Sequence, residues 1–263
     1  MKPFEHPHLG PLHLGRKPPD PKRMKLMLDR YLRIALPDPI GGTWSDEVTV
    51  PWPMMVNDEK GDCVAANVGH IIMAMTAASR TIVIPTDAQV LAFYASQNPN
   101  GQDNGMVEAD AMEYWRTTGL AGHKIDAYAD VSPQNPRFMQ QANDLLGPIT
   151  LGVGLPINCQ AAIKEGGVWD VIGDGKTGDS APESWGGHAV PFMGYESVNP
   201  TPTSTIEIAT WGMKMYMTWR FFLAYCEEAH AALSKDWTNA QGLAPSDVDY
   251  SSLTAALNAV RAS

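Results

Sequence analysis

The sequence predicts an α+β fold of two lobes facing each other across a cleft, with helices in the first lobe and antiparallel strands in the second. Two patterns predict it. Apolar residues recur at helical spacing through the first half, and from Ile149 onward they gather into short strand-like runs. In addition, Cys63 opens the central helical run and His188 stands at the head of a strand-like run.

The elements follow in chain order. Residues 1–43 carry Pro3, Pro7, Pro11, Pro18, Pro19, Pro21, Pro37 and Pro39, which keep most of this arm extended. Met24, Leu28, Tyr31 and Leu32 fall near helical spacing and predict one short helix over about Arg23–Ile34. The arm either wraps its own domain or reaches a neighbouring subunit. The domain proper is read as residues 44–235. Its central helix runs from Cys63 to about Ser79. A second helix, about Thr86–Ser96, opens on a Thr86-Asp87 cap after Pro85. A third covers about Val107–Thr118, and a fourth, about Pro133–Leu146, stops at Gly147. Strands are predicted at Ile149–Leu155, His188–Tyr195 and Thr205–Thr210. The Gly-, Asp- and Ser-rich loop Gly166–Gly187 leads into His188 and forms one lip of the cleft. Met215–Leu233, with Trp219, Phe222, Leu223, Cys226 and His230, reads as helical, and a further helix is predicted over about Ser251–Val260. Residues 236–263 are read as a C-terminal helical extension.

A thiol at a helix N-terminus is biased toward thiolate by the helix dipole, and an imidazole on a neighbouring strand can hold it as an ion pair. Cys63 and His188 thus have the residue types and element positions of a histidine-activated cysteine nucleophile.

The residues around them extend the pattern. Asn57 stands six before Cys63 and Gly61 two before it, and Val64, Ala65, Ala66 and Val68 continue as small or apolar helix residues. The histidine strand reads His188, Ala189, Val190, then Gly194 and Tyr195. Trp44 precedes Val48-Thr49. Asn104-Gly105 is followed by Ala111, Tyr114 and Gly119, then come Gly147-Pro148-Ile149 and Thr210-Trp211-Gly212. This order, over about residues 44–225, resembles the papain-like cysteine peptidases. The resemblance implies hydrolysis of peptide or amide bonds in a peptide or protein substrate, with Cys63 as nucleophile and His188 as its partner. Asn57, one methylene shorter than the family glutamine, would donate to the oxyanion. Gly61 and Gly187 would line the substrate channel, and Trp211 would shield the far side of the imidazole. No metal or other cofactor is implied. The family asparagine that orients the histidine is replaced by Ala209, which has no side-chain donor or acceptor. Glu207, two residues earlier on the same strand face, could substitute, but a solvated surface glutamate is the favoured reading. Family zymogens block the cleft with a longer helical prosegment, for which this arm is too short and proline-rich by itself.

A rival expectation is a papain-fold protein used as a structural or binding module. A looser resemblance to papain-like proteins of phages and bacteria adds a virion-associated or decoration role. The net charge of −10 argues against a nucleic-acid or anionic-membrane partner. No apolar run approaches the ~20 residues needed to span a bilayer, and Met1–Pro7 lacks the apolar core of a signal peptide. The expected setting is therefore cytoplasmic or virion-associated, with assembly through the arm as the possible oligomeric contact. Three cysteines cannot build a disulfide framework around a free nucleophile; Cys159 and Cys226 could pair, but each reads most simply as a buried small hydrophobe.

Other chemistry-bearing residues are read as structural. His6, His8 and His13 lie in the arm without a ligand framework, and His70 lies two turns past Cys63 on its helix. His123 and His230 have no motif around them. Asp62 suits a helix cap, and Asp170–Asp179 a polar lip that lacks the closing glutamate of a calcium loop.

Overall fold

The computed structural model describes residues 3–30, 37–79, 81–164 and 167–238. The arm opens with a hairpin of β1 (Phe4–His6) and β2 (Gly10–Leu12). The N–H groups of His8 and Leu9 donate to His6 Nδ1 in its turn, which gives that histidine a local structural role. The short helix expected over 23–34 reduces to a single 3-10 turn at Leu28–Arg30: residues 23–27 are not helical, with Met27 bridged to Asp130, and 31–34 lie outside the described residues.

The helical lobe follows a short strand, β3 (Gly42–Thr43), and comprises α1 (Cys63–Ser79), α2 (Asp87–Tyr94) and α3 (Glu108–Thr117). Helix α1 is buried without a break from Cys63 to Thr76, as befits a helix that is apolar all round. Helix α2 starts on a reciprocal capping box between Thr86 and Gln89. Strand β4 (Ala127–Asp130) and α4 (Pro136–Leu146) come next. The Asn135 side chain caps α4 by accepting from Phe138 N, and Gly147, at φ 82°, ends it. The chain then supplies β5 (Ile149–Leu155), α5 (Gln160–Lys164), β6 (Val168–Trp169), β7 (Gly186–Tyr195), β8 (Thr205–Thr210), β9 (Met213–Thr218), α6 (Trp219–Tyr225) and β10 (Cys226–Leu233).

These strands form one sheet in the order β4-β10-β5-β7-β8-β9-β6, with β3 beside β7. Every pairing in it is antiparallel except β6 with β9. Helix α1 packs on β7 along its length, with Cys63 near Ala189 at one end and Ala74 near Met193 at the other, which joins the two lobes. The α+β, two-lobed expectation holds.

The C-terminal part differs from its sequence pattern. Only Trp219–Tyr225 of the stretch read as helical is helix. Met213–Thr218 and Cys226–Leu233 are strands, because the two interior sheet positions they fill outweigh local propensity. The helix expected over 251–260 lies outside the described residues. Packing continues past residue 235. Trp237 is buried edge-on against Trp44 at 4.7 Å between ring centres, and its indole N–H donates to the Leu145 carbonyl at 3.1 Å. Trp237→Ala is expected to destabilise the fold by about 3–5 kcal/mol, measured by urea unfolding; a loss under about 1 kcal/mol would show this segment to be dispensable.

Candidate active site

Cys63 is buried at the first turn of α1, and the backbone N–H of Ala189 reaches its sulfur, so β7 brings the residue after His188 onto the thiol. His188 is fully buried. Its Nε2 lies 2.8 Å from the Thr210 hydroxyl, and its Nδ1 has no hydrogen-bond partner. Trp211 stacks on the imidazole at 4.2 Å and 18°. The loop between β8 and β9 is only Trp211 and Gly212, both at positive φ (48° and 71°), as a two-residue hairpin of matching twist requires. A tryptophan in this left-handed region is strained by about 1–3 kcal/mol, and its burial against His188 holds it there.

The side chain that meets the histidine is thus Thr210, one residue past Ala209. Alternation along β8 puts Ala209 and Glu207 on one face and Thr210 on the other, toward His188. Glu207 accepts from Thr43 and Ser45 and pairs with Lys214 at 3.3 Å, so it does not substitute at the histidine, and it is buried rather than the solvated surface glutamate favoured from the sequence.

Asn57 is buried six residues before Cys63. Its amide nitrogen donates to the Lys60 carbonyl at 3.0 Å, which leaves its second N–H for another acceptor. Asp62 is buried, but its carboxylate oxygens accept from no α1 N–H, so it is not the expected cap. Burial pushes its carboxyl well up, against the pull of the Asn57 side chain, which reduces its charge beside the thiol. His70 bonds to the Pro53 carbonyl at 2.9 Å and packs edge-on to Trp52; burial pushes its imidazole down to about 4.

The arm lies in the cleft. The Arg16 N–H donates to Gly187 O (3.1 Å) on the sheet side. On the helical side Met106 N–H donates to Gly15 O and Lys17 N–H to Met106 O, both at 2.8 Å. His13 N–H donates to Asn57 O (3.1 Å), and the Trp211 indole donates to His13 O (3.2 Å). The Gly15 backbone N–H reaches the Cys63 sulfur. The arm thus wraps its own domain, one of the two expected alternatives. It does so across the nucleophile, despite lacking the length and helices expected of a blocking segment. Four glycines make room. A Cβ on Gly15 would sit 1.7 Å from Gly61 O, one on Gly61 2.7 Å from Leu14 O, one on Gly187 2.3 Å from Arg16 O, and one on Gly105 2.0 Å from Gly15 O.

Burial decides the charge state. Burial pushes the Cys63 thiol up to about 12, against the pull of the Ala189 and Gly15 N–H groups. Burial, with the positive charges of Arg16 and His70 behind it, pushes the His188 imidazole down to about 3. With the arm in place both groups are neutral at pH 7, rather than the ion pair expected from the helix dipole alone.

Beside the cleft the Arg16 side chain, fully buried, enters an acidic cluster. It pairs with Glu228 at 2.9 Å, Glu183 at 3.3 Å and Glu227. His230 lies 3.1 Å from Glu228, 3.2 Å from Asp130 and 4.0 Å from Glu108. Glu108, Glu228 and His230 bring donor atoms within 4.8 Å of one another, but the Arg16 guanidinium already supplies this cluster with a cation. Burial would lower His230, yet its bonds to Asp130 and Glu228 prevail and raise it to about 9. Burial and Glu228 raise the Glu108 carboxyl against His230 and Arg16. Both groups bind protons more tightly folded than unfolded, so their contribution is complete at low pH and is lost as pH rises. For His230 the window is from its unfolded value near 6.5 to about 9. Stability should fall over this interval by about 1–3 kcal/mol. Melts from pH 6.5 to 9.5 should show less of this fall in His230→Asn, and an identical slope in both proteins would remove His230 as its source.

The remaining candidates make structural contacts. His123 pairs with Asp236 at 2.7 Å, Asp170 pairs with Arg220, and Asp174 accepts from Lys176, Thr177 and Ser180 within its own turn. Cys159 and Cys226 are free and buried. Gly15, Arg16 and the Glu108–Glu228–His230 cluster are not evident from the sequence, because their members are far apart in the chain. The one local signal was Glu227-Glu228-Ala-His230, a dense acidic stretch beside a histidine in an otherwise apolar run. Among the described residues no helix is long and apolar enough to cross a membrane.

The fold is that of the papain-like cysteine proteases. Xylellain, a cysteine protease from Xylella fastidiosa, superposes with a TM-score of 0.60 at 14% identity, covering 89% of this chain and 98% of that one. Procathepsin L 3 from the larval midgut of Tenebrio molitor matches with a TM-score of 0.55 at 11% identity over 83% of this chain and 76% of that one. The proform of Amb a 11, a ragweed pollen cysteine protease, matches with a TM-score of 0.53 at 14% identity over 78% and 69%. No family model matches the sequence, and no curated protein sequence matches it.

Proposed function

We propose that the chain is a cysteine peptidase whose cleft is closed by its own N-terminal arm. One observation carries this reading. An extended peptide, residues 13–17, is hydrogen-bonded to both walls of the cleft over a cysteine at a helix N-terminus, whose sulfur faces the residue that follows a buried histidine. A groove that holds an extended backbone in this way has the shape and donors to hold a peptide substrate.

Once the arm withdraws and water enters, the desolvation that keeps both groups neutral is relieved, and the proton of Cys63 can pass to His188. The Cys63 thiolate would add to a substrate carbonyl carbon, forming a C–S bond. The oxyanion would accept hydrogen bonds from the Cys63 N–H and the second N–H of Asn57. The His188 imidazolium would then give its proton to the amine as the C–N bond breaks. Water would attack the thioester, with His188 taking its proton, and release the acid and the free thiol. Thr210 would hold the imidazole in register as Trp211 covers its far face.

A second reading, a papain-fold module that uses its cleft only to fix the arm, is favoured by the burial of Cys63 and the neutral state of the pair. Its virion-associated form would appear as many ordered copies in a native assembly. The deciding experiment is hydrolysis of a mixed peptide–aminocoumarin library by the Gly15→Val chain, with Gly15→Val/Cys63→Ala as control. Turnover confined to the former supports the peptidase. No turnover from a folded variant whose Cys63 alkylates freely supports the module.

A further inference from the structure

We propose that the pocket filled by Arg16 is a receptor for arginine side chains, and that it selects peptide substrates carrying arginine at the residue it accommodates. The statement about substrates rests on the peptidase reading above. The statement about the pocket rests on geometry alone.

The pocket is built for a guanidinium. Carboxylates reach it from three separate parts of the chain: Glu228 and Glu227 from β10, Glu183 from the loop before β7, and Glu108 from the start of α3. Both terminal nitrogens of Arg16 are engaged, Nη1 by Glu228 and Nη2 by Glu183 and Glu227, a planar fork arrangement that a point charge on a lysine cannot reproduce. The walls are glycine where the side chain and its carboxylates pass. A Cβ on Gly152 would lie 2.9 Å from Arg16 Cδ and 2.7 Å from Glu228, and one on Gly154 would lie 2.7 Å from Glu183.

The charges do not balance around the arm alone. Five carboxyl groups, Glu108, Asp130, Glu183, Glu227 and Glu228, face the cations Arg16 and His230, with Lys25 acting on Asp130 as a third. Glu108 is fully buried with neither oxygen hydrogen-bonded. Withdrawal of the arm would leave this excess of negative charge open to the cleft, a configuration that a cationic side chain relieves and an acidic one cannot enter. The backbone on either side of Arg16 is held by Gly187 and Met106, so the pocket reads the side chain of a residue whose backbone lies along the cleft. The arm is then a built-in occupant that presents the pocket with its own preferred residue.

The test uses the full chain with Arg16→Ala, which leaves a hole where the side chain was. Thermal melting is followed with ethylguanidinium, ethylammonium or ethylurea added at millimolar concentration. Ethylguanidinium should raise the melting temperature, and the other two should do so far less. In parallel, with the cleft opened by Gly15→Val, turnover is measured on peptide–aminocoumarin substrates that differ only in arginine, citrulline, lysine, leucine or glutamate at each position in turn. At one position arginine should exceed its uncharged isostere citrulline by at least about 30-fold, and Glu228→Gln should shrink that ratio. Equal stabilisation by all three additives, or turnover with no arginine preference at any position, overturns the proposal. Selective rescue by ethylguanidinium without any hydrolysis upholds the pocket and counts against the peptidase reading instead. If Arg16→Ala does not fold, Arg16→Lys keeps one cation in the cluster and the same substrate profile is read on it.

Discussion

Gly15→Val is expected to expel the arm from the cleft and to raise the rate of iodoacetamide alkylation at Cys63 at pH 7 by about 10³-fold. The reason is steric first. A Cβ at residue 15 would sit 1.7 Å from the Gly61 carbonyl oxygen, a backbone atom beside the nucleophile that cannot swing aside as a side-chain tip would. Hydration then acts on the thiol. Its value of about 12 in the closed cleft is set chiefly by burial, and exposure should return it toward the free-cysteine value of roughly 8.5 or lower. Each unit of that fall multiplies the thiolate population about tenfold. Mass spectrometry of labelled peptides would locate the adduct at Cys63 rather than Cys159 or Cys226. An unchanged rate in a folded Gly15→Val chain would mean that the arm does not control access to the thiol.

In the same opened background, His188→Ala is expected to lower kcat on the peptide–aminocoumarin library by about 10³-fold with KM little changed, because it removes the general acid and base. Thr210→Val keeps the shape of the threonine and deletes only the hydroxyl that meets His188 Nε2 at 2.8 Å. A buried ring nitrogen left unpaired costs about 1–3 kcal/mol, which corresponds to a fall of about 10- to 100-fold in kcat. Thr210→Ser, which restores the hydroxyl, should recover most of it. A positioning role also predicts a displaced pH–rate profile in Thr210→Val, which a purely structural threonine would not give. If Thr210→Val matches the parent in both kcat and pH profile, the orienting role belongs elsewhere.

Much of this was legible in the sequence for a local reason. The bounds of α1 and of β5 and β8 follow from apolar runs and the turn residues that end them, and Cys63 and His188 lie at the heads of their elements. Periodicity, caps and the residues flanking the nucleophile are properties of neighbours along the chain, so a single sequence carries them. Trp211 was legible in the same way, as part of a short segment with Gly212.

What the tertiary structure alone decided depends on residues distant in the chain. Propensity read Cys226–Leu233 as helix, but it lies between β4 and β5, where ladder hydrogen bonds and burial on both sides govern the backbone. Strand alternation could place Ala209 and Glu207 on one face, yet only the packing of β8 beside β7 showed that Thr210, on the other face, meets the histidine. The arm read as extended from its prolines, and its path over Cys63 follows from close approaches among Gly15, Gly61, Gly105 and Gly187, which no local pattern links. The sequence by itself determined which residues could be a thiol and an imidazole in a cleft. Their protonation, and the acidic pocket around Arg16, are set by desolvation and by charges drawn from separate elements, and these exist only once the chain has folded.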